Sequence, residues 1–180
     1  MALNLVSLDA GVREAMIGEY ERDHAAGTIF LSPRLTPTGQ KDYPGLLREA
    51  LTSGDDDSLA SVIKDGRRLK VTEGYTNRQR LADTRQVPPT AADQIAEGDF
   101  NSYYIRGLCV RAIKLGITQV EVYRAKAVHE PRPESEALIG KLVAPKELLD
   151  DLRAHTGDQQ PTLGVPGGPN SGISVRFPER

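Results

Sequence analysis

Tryptophan is absent, aromatic residues make up only 5% of the chain, and cysteine occurs once, at Cys109. With so few rings, the interior must be built mainly from aliphatic side chains. A single cysteine cannot close an internal disulfide, which excludes the stapled scaffolds of small secreted domains. His24, His129 and His155 stand far apart, and neither a Cys pair nor a His-x-x-x-His spacing is present, so no zinc site is expected. No run of 18 apolar residues occurs, and Met1 to Val6 lack the basic and apolar regions of a signal peptide. The expected location is therefore the cytoplasm, with no membrane contact. A phosphate-binding Gly-x-x-x-x-Gly-Lys loop, a Gly-x-Gly-x-x-Gly turn and a Gly-x-Ser-x-Gly elbow are missing as well. No cofactor and no metal are called for.

What remains is a 180-residue chain, 38% hydrophobic and 27% charged, which suits one globular domain spanning 1–180. The net charge of −2 conceals an uneven distribution. Residues 1–61 hold 5 basic and 10 acidic side chains, residues 62–126 hold 12 and 7, and residues 127–180 hold 6 and 8. A basic middle between acidic flanks either neutralises its own neighbours or faces an anionic partner.

Hydrophobic spacing and punctuation predict an α+β fold. A first helix over 8–26 follows Ser7 or Asp9 and ends at Gly27. Residues 28–31 are β-prone. A second helix starts at Thr36-Pro37 or at Asp42-Tyr43-Pro44 and closes at Gly54, and a short third helix follows Asp55-Asp56-Asp57 and ends at Gly66. Residues 67–72 alternate like a strand, and 75–89 read as a long ordered loop or a short solvated helix. Thr90 opens the strongest helical signal, which Gly98 interrupts, and the stretch of about 99–115 is apolar nearly all round, as a buried central helix would be. Strands are expected at 118–125 and 173–177, with 137–143 as a further candidate. A last helix starts at Pro145, and a Gly/Pro-rich loop over 158–172 precedes the C-terminal strand. The expectation is one compact domain with four to five helices around the long buried one, packed on a small sheet.

Several candidates for chemistry have plainer explanations. Asp55-Asp56-Asp57 lacks the spaced oxygens of a calcium loop and fits a helix N-terminus. Cys109 lies in the apolar helix, where a thiol is ordinarily a small core residue. The glycine-rich stretch 164–172 carries prolines that remove backbone donors, so it is a connecting loop before it is a phosphate cradle. Asp99, Glu121 and Lys126 would be needed together for a metal-dependent nuclease, yet positions 121 and 126 fall on opposite faces of a strand.

Two features are left. Arg67, Arg68, Lys70, Tyr75, Asn77, Arg78, Arg80 and Arg85, with Gln79 among them, fall within 19 residues. Arginine and lysine reach phosphates, tyrosine stacks on a base, and Asn or Gln reads a base edge. The same mix also suits a protein–protein contact or a solvated surface. The second feature is Arg106, an arginine inside an apolar helix beside Tyr103 and Tyr104. It requires a carboxylate such as Glu121, or else lines a polar pocket that clamps an anion. The first expectation for function is a non-enzymatic module contacting DNA or RNA through 67–85. Alternatives are an assembly protein that self-associates or joins a larger complex, and an enzyme with a site near Arg106.

Overall fold

The computed structural model describes residues 2–76, 78, 80–157, 159–168 and 171–178. Asn77 and Gln79 lie outside them. The fold is α+β, with one long helix packed against its neighbours and two small sheets.

Local chemistry sets the elements. Helix α1 spans Ala10–Ala26: Asp9 caps it by accepting from the Val12 N–H at 2.8 Å, and Gly27, at φ 67°, closes it. Helix α2 spans Pro37–Ser53 and is capped by Thr36, so Pro44 lies inside the helix and is not its start. Helix α3, Asp56–Lys64, begins with a reciprocal cap between Asp55 and Ser58. A 3-10 turn at Asp65–Arg67 follows, then strands β1, Thr72–Thr76, and β2, Ala82–Gln86, paired as an antiparallel hairpin. Helix α4 runs over Ala91–Lys114, straight through Gly98. Strand β3 (Val120–Arg124), helix α5 (Pro133–Glu136), strand β4 (Leu142–Val143), helix α6 (Pro145–Ala154) and strand β5 (Ile173–Arg176) complete the chain. The second sheet has the antiparallel order β4-β3-β5.

Among the described residues five helices accompany the long one, as expected, the shortest being the single turn α5. Helix α4 starts eight residues earlier than 99, and Thr90 makes no side-chain cap there. The larger correction is at 67–90. The backbone of 67–70 is taken by loop 34–36, through the Leu35–Leu69 bridge and the bonds from Thr36 N–H to the Arg68 carbonyl and from Lys70 N–H to the Arg34 carbonyl. Pairing of strands therefore starts at Thr72 and produces a hairpin in the polar stretch. Residues 28–31 form no strand, and of 137–143 only the last two residues pair.

Helix α4 is the centre: α1, α2, α3, α6 and β5 all pack on it, and 14 of its 24 residues are buried. The N-terminal strap is pinned to the body by side chains. Asp56 accepts the Leu3 N–H, and the hydroxyls of Tyr123 and Tyr104 accept the N–H groups of Val6 and Ser7.

Two glycines of α4 meet opposite surroundings. A Cβ on Gly107 would lie 2.6 Å from Met16 Cγ and 2.8 Å from Met16 N, because the α1 backbone crosses there. A Cβ on Gly98 would meet nothing within 4 Å. Replacing a helical glycine with alanine gains about 1 kcal/mol of propensity where nothing clashes. Gly98→Ala is therefore expected to raise the thermal midpoint and Gly107→Ala to lower it, as followed by circular dichroism. Equal shifts of one sign would contradict this packing.

Candidate functional site

The β1–β2 hairpin stands out from the body as an arm. Its strands pack on each other and on no other helix or strand to a comparable extent, and every residue of β2 is exposed. With a side-chain period of two, one face carries the cross-strand pairs Glu73–Arg85 and Tyr75–Asp83, and the other carries Thr72, Gly74, Thr76, Ala82, Thr84 and Gln86. On the charged face Arg85 Nε donates to Glu73 at 2.7 Å, Arg85 lies 5.2 Å from the Tyr75 ring centre, and the Tyr75 hydroxyl donates to Asp83 at 3.3 Å.

Glu73 ties the arm down. Besides Arg85 it accepts from Arg34 Nε at 2.6 Å, and Arg34 also donates to Gln94 of α4 at 2.8 Å. The hydrogen bond from Arg34, with help from Arg85, holds the Glu73 carboxyl below the usual glutamate range. Arg68 is likewise structural: it donates to Asp42 at 3.1 Å and to the carbonyls of Val62 and Asp65 where α3 ends.

The remaining cations differ. Arg67, Lys70, Arg78 and Arg80 are exposed, and among the described residues none of them pairs with a carboxylate. Arg67 and Arg80 have φ of 58° and 61°, the two positive values among described non-glycine residues.

At the root of the arm lies a cleft of about 660 Å³, walled by the loop through Phe30 and Arg34, by β1, by α4 from Gln94 to Ser102, by the end of α6, and by parts of the loop over 157–171. Within it Glu97 pairs with Lys126 at 2.6 Å, and Asp99 accepts the hydroxyl of the fully buried Tyr43 at 2.5 Å. His155 Nδ1 lies 2.9 Å from the Asp151 carbonyl and 3.0 Å from its carboxylate.

Arg106, 2% exposed, makes four hydrogen bonds to carboxylates: two to Glu19 at 2.7 and 2.9 Å, two to Asp23 at 2.6 and 3.0 Å. Arg153 of α6 adds two more to Glu19, and the Tyr103 hydroxyl donates to Asp23 at 3.0 Å. Arg106 and Tyr103 thus sit together, whereas Tyr104 holds the N-terminal strap. Glu121, the carboxylate expected opposite Arg106, pairs with Arg176 instead. Asp99, Glu121 and Lys126 are each engaged with other partners. No group of three His, Cys, Asp or Glu side chains able to hold a metal is present among the described residues. Burial pushes the Cys109 thiol up to about 12, which leaves it a poor nucleophile. No described helix is long and apolar enough to cross a membrane.

Arg34, Glu73 and the cleft escape a reading along the chain. The Glu73–Arg85 pair needs the hairpin register, and the cleft is assembled from segments as distant as 30 and 168. Compared with known protein families, with curated proteins and with solved structures, the chain matches none.

Burial alone would raise the Glu19 carboxyl, but the bonds from Arg153 and the charge of Arg106 outweigh it and hold it below its usual value of 4.5. A lowered folded pKa stabilises above the unfolded pKa and is lost as pH falls through the folded one. The urea midpoint is therefore expected to drop as pH goes from about 5 toward 3, less so in Glu19→Gln. Arg106→Ala, which strands two buried carboxylates, is expected to cost about 3–5 kcal/mol at neutral pH. A loss under about 1 kcal/mol in urea titration would contradict the network's role.

Proposed function

We propose that this protein is a non-enzymatic module that binds the phosphate backbone of nucleic acid through the β1–β2 arm. The observation that carries this is the set of four exposed cations with no carboxylate partner among the described residues, Arg67 and Lys70 at the root and Arg78 and Arg80 toward the tip. The other two arginines of the segment, Arg68 and Arg85, are matched by Asp42 and Glu73. Within this one segment two arginines are matched and four cations are open, a local excess of positive charge that suits an outside anion.

Backbone strain supports the same reading. The left-handed region at a turn ordinarily belongs to glycine or asparagine, yet Arg67 and Arg80 occupy it. Strain of this kind persists where a side chain is needed for what it contacts. Tyr75 and Arg85 are already stacked on each other, so a base reaching the arm would meet a preformed platform.

A second reading has an observation of its own. The arm is a two-stranded sheet, and each strand has an outer edge with no other strand on it among the described residues. Another copy could add there by edge pairing.

Fluorescence anisotropy with labelled duplex and single-stranded DNA, at about 50 and 200 mM salt, separates the two. Binding is expected to weaken steeply with salt. Arg78→Ala/Arg80→Ala should reduce the slope of log K against log salt by roughly two, at about 0.9 per lost phosphate contact. Arg80→Gly is expected to keep or raise the thermal midpoint while losing affinity, since it relieves the turn and removes a cation. No binding at low salt, together with a solution mass above that of one chain, would replace this proposal with the assembly reading.

A further inference from the structure

The arm offers cations for phosphates and little that distinguishes one base from another. The cleft at its root offers the reverse. Its volume of about 660 Å³ lies within the roughly 300–1,000 Å³ of small-molecule sites. Its carboxylates are engaged: Glu73 holds Arg34 and Arg85, Glu97 holds Lys126, and Asp99 takes the Tyr43 hydroxyl. A phosphate gains little beside Arg34, which Glu73 already matches. Most of the other polar linings, Ser102, Thr72, Gln159 and Gln160 among them, are neutral amides and hydroxyls, His155 is turned to Asp151, and Phe30 adds an aromatic ring. Lys70 lines the same cleft and is also one of the open cations of the arm. Neutral donors and acceptors around an aromatic ring, beside a cationic track, match a base attached to its backbone.

The approach is also unobstructed. Gly74 of β1 and Gly98 of α4 both line the cleft, and a Cβ at Gly98 would stand in open space. A glycine inside a helix costs stability, and nothing packed around Gly98 requires it.

We propose that the cleft takes one unpaired base of a single-stranded nucleic acid whose backbone follows the arm. This rests on the arm binding phosphates, and it adds a preference that phosphate contacts alone cannot produce. A base inside a duplex is stacked and paired and cannot enter without being flipped out. The protein therefore prefers single strands to the duplex of the same sequence.

The test compares three labelled ligands by anisotropy at about 50 mM salt: a single-stranded oligonucleotide, its duplex, and a strand of equal length made of abasic sites. The intact strand is expected to bind about tenfold more tightly than the abasic one, within the roughly five- to 150-fold that one stacked base is worth. It is also expected to bind more tightly than the duplex. Gly98→Leu, which builds into the open space, should bring the intact strand to the abasic level, with its thermal midpoint confirming that it folds. Equal binding of the intact and abasic strands, a comparison that needs no variant, would overturn the base site and leave the arm standing. Failure of all three ligands to bind would remove both.

Discussion

A guanidinium sealed away from water must be matched by carboxylates, and most of this fold is arranged around one such match. Arg106 sits on α4 at 2% exposure, and Glu19 and Asp23 meet it from one face of α1, four residues apart. Arg153 brings α6 to the same Glu19. Two cations and two carboxylates thereby lock three helices at one depth. An imbalance there would leave a bare buried charge, a cost of several kcal/mol. Hydrophobic contact alone would let α1 slide along α4; the paired oxygens fix the register, and the Gly107–Met16 crossing lets the two backbones come close enough to make it.

The arm obeys a different rule. Its hold on the body is polar and narrow: Glu73 bridges Arg34 and Arg85, and a few backbone bonds join 68–71 to loop 34–36 and to Val87. An isolated two-stranded hairpin is marginal in water, so the Glu73–Arg34–Gln94 connection gives the arm its direction relative to α4. The cleft lies in the angle between them. Matched and open charge lie side by side: Glu73 answers Arg34 and Arg85, while Arg67, Lys70, Arg78 and Arg80 have no carboxylate partner among the described residues.

Much of this is legible along the chain, for reasons that can be named. Caps and stops that act locally, Asp9 and Gly27, place α1 to within two residues, whereas for α2 the Thr36-Pro37 start competes with a second signal at Asp42-Tyr43-Pro44 that lies inside the helix. The apolar all-round stretch after Phe100 marks the buried helix, and alternation at Val120 and Val122 marks β3. The basic segment itself is visible as a density of arginine. What escapes is whatever depends on partners far away in sequence. A hairpin with no apolar face has no hydrophobic period to betray it, so its strands read as loop. Arg106 announces that it needs a carboxylate, but the choice of Glu19 and Asp23 over Glu121 requires the packing of α1 on α4. Arg68 and Arg85 cannot be told from Arg78 and Arg80 by composition, and only their neighbours divide structural arginines from open ones.

The hairpin buries almost nothing, and this shapes how the protein can change over time. A residue in the core is judged twice, for what it holds together and for what it does. The side chains of β2 other than Arg85, whose bond to Glu73 helps hold the arm, are little constrained by the first test, because they are exposed and the body closes without them. Those positions can exchange their residues with little penalty in folding while the helices beneath the arm stay fixed.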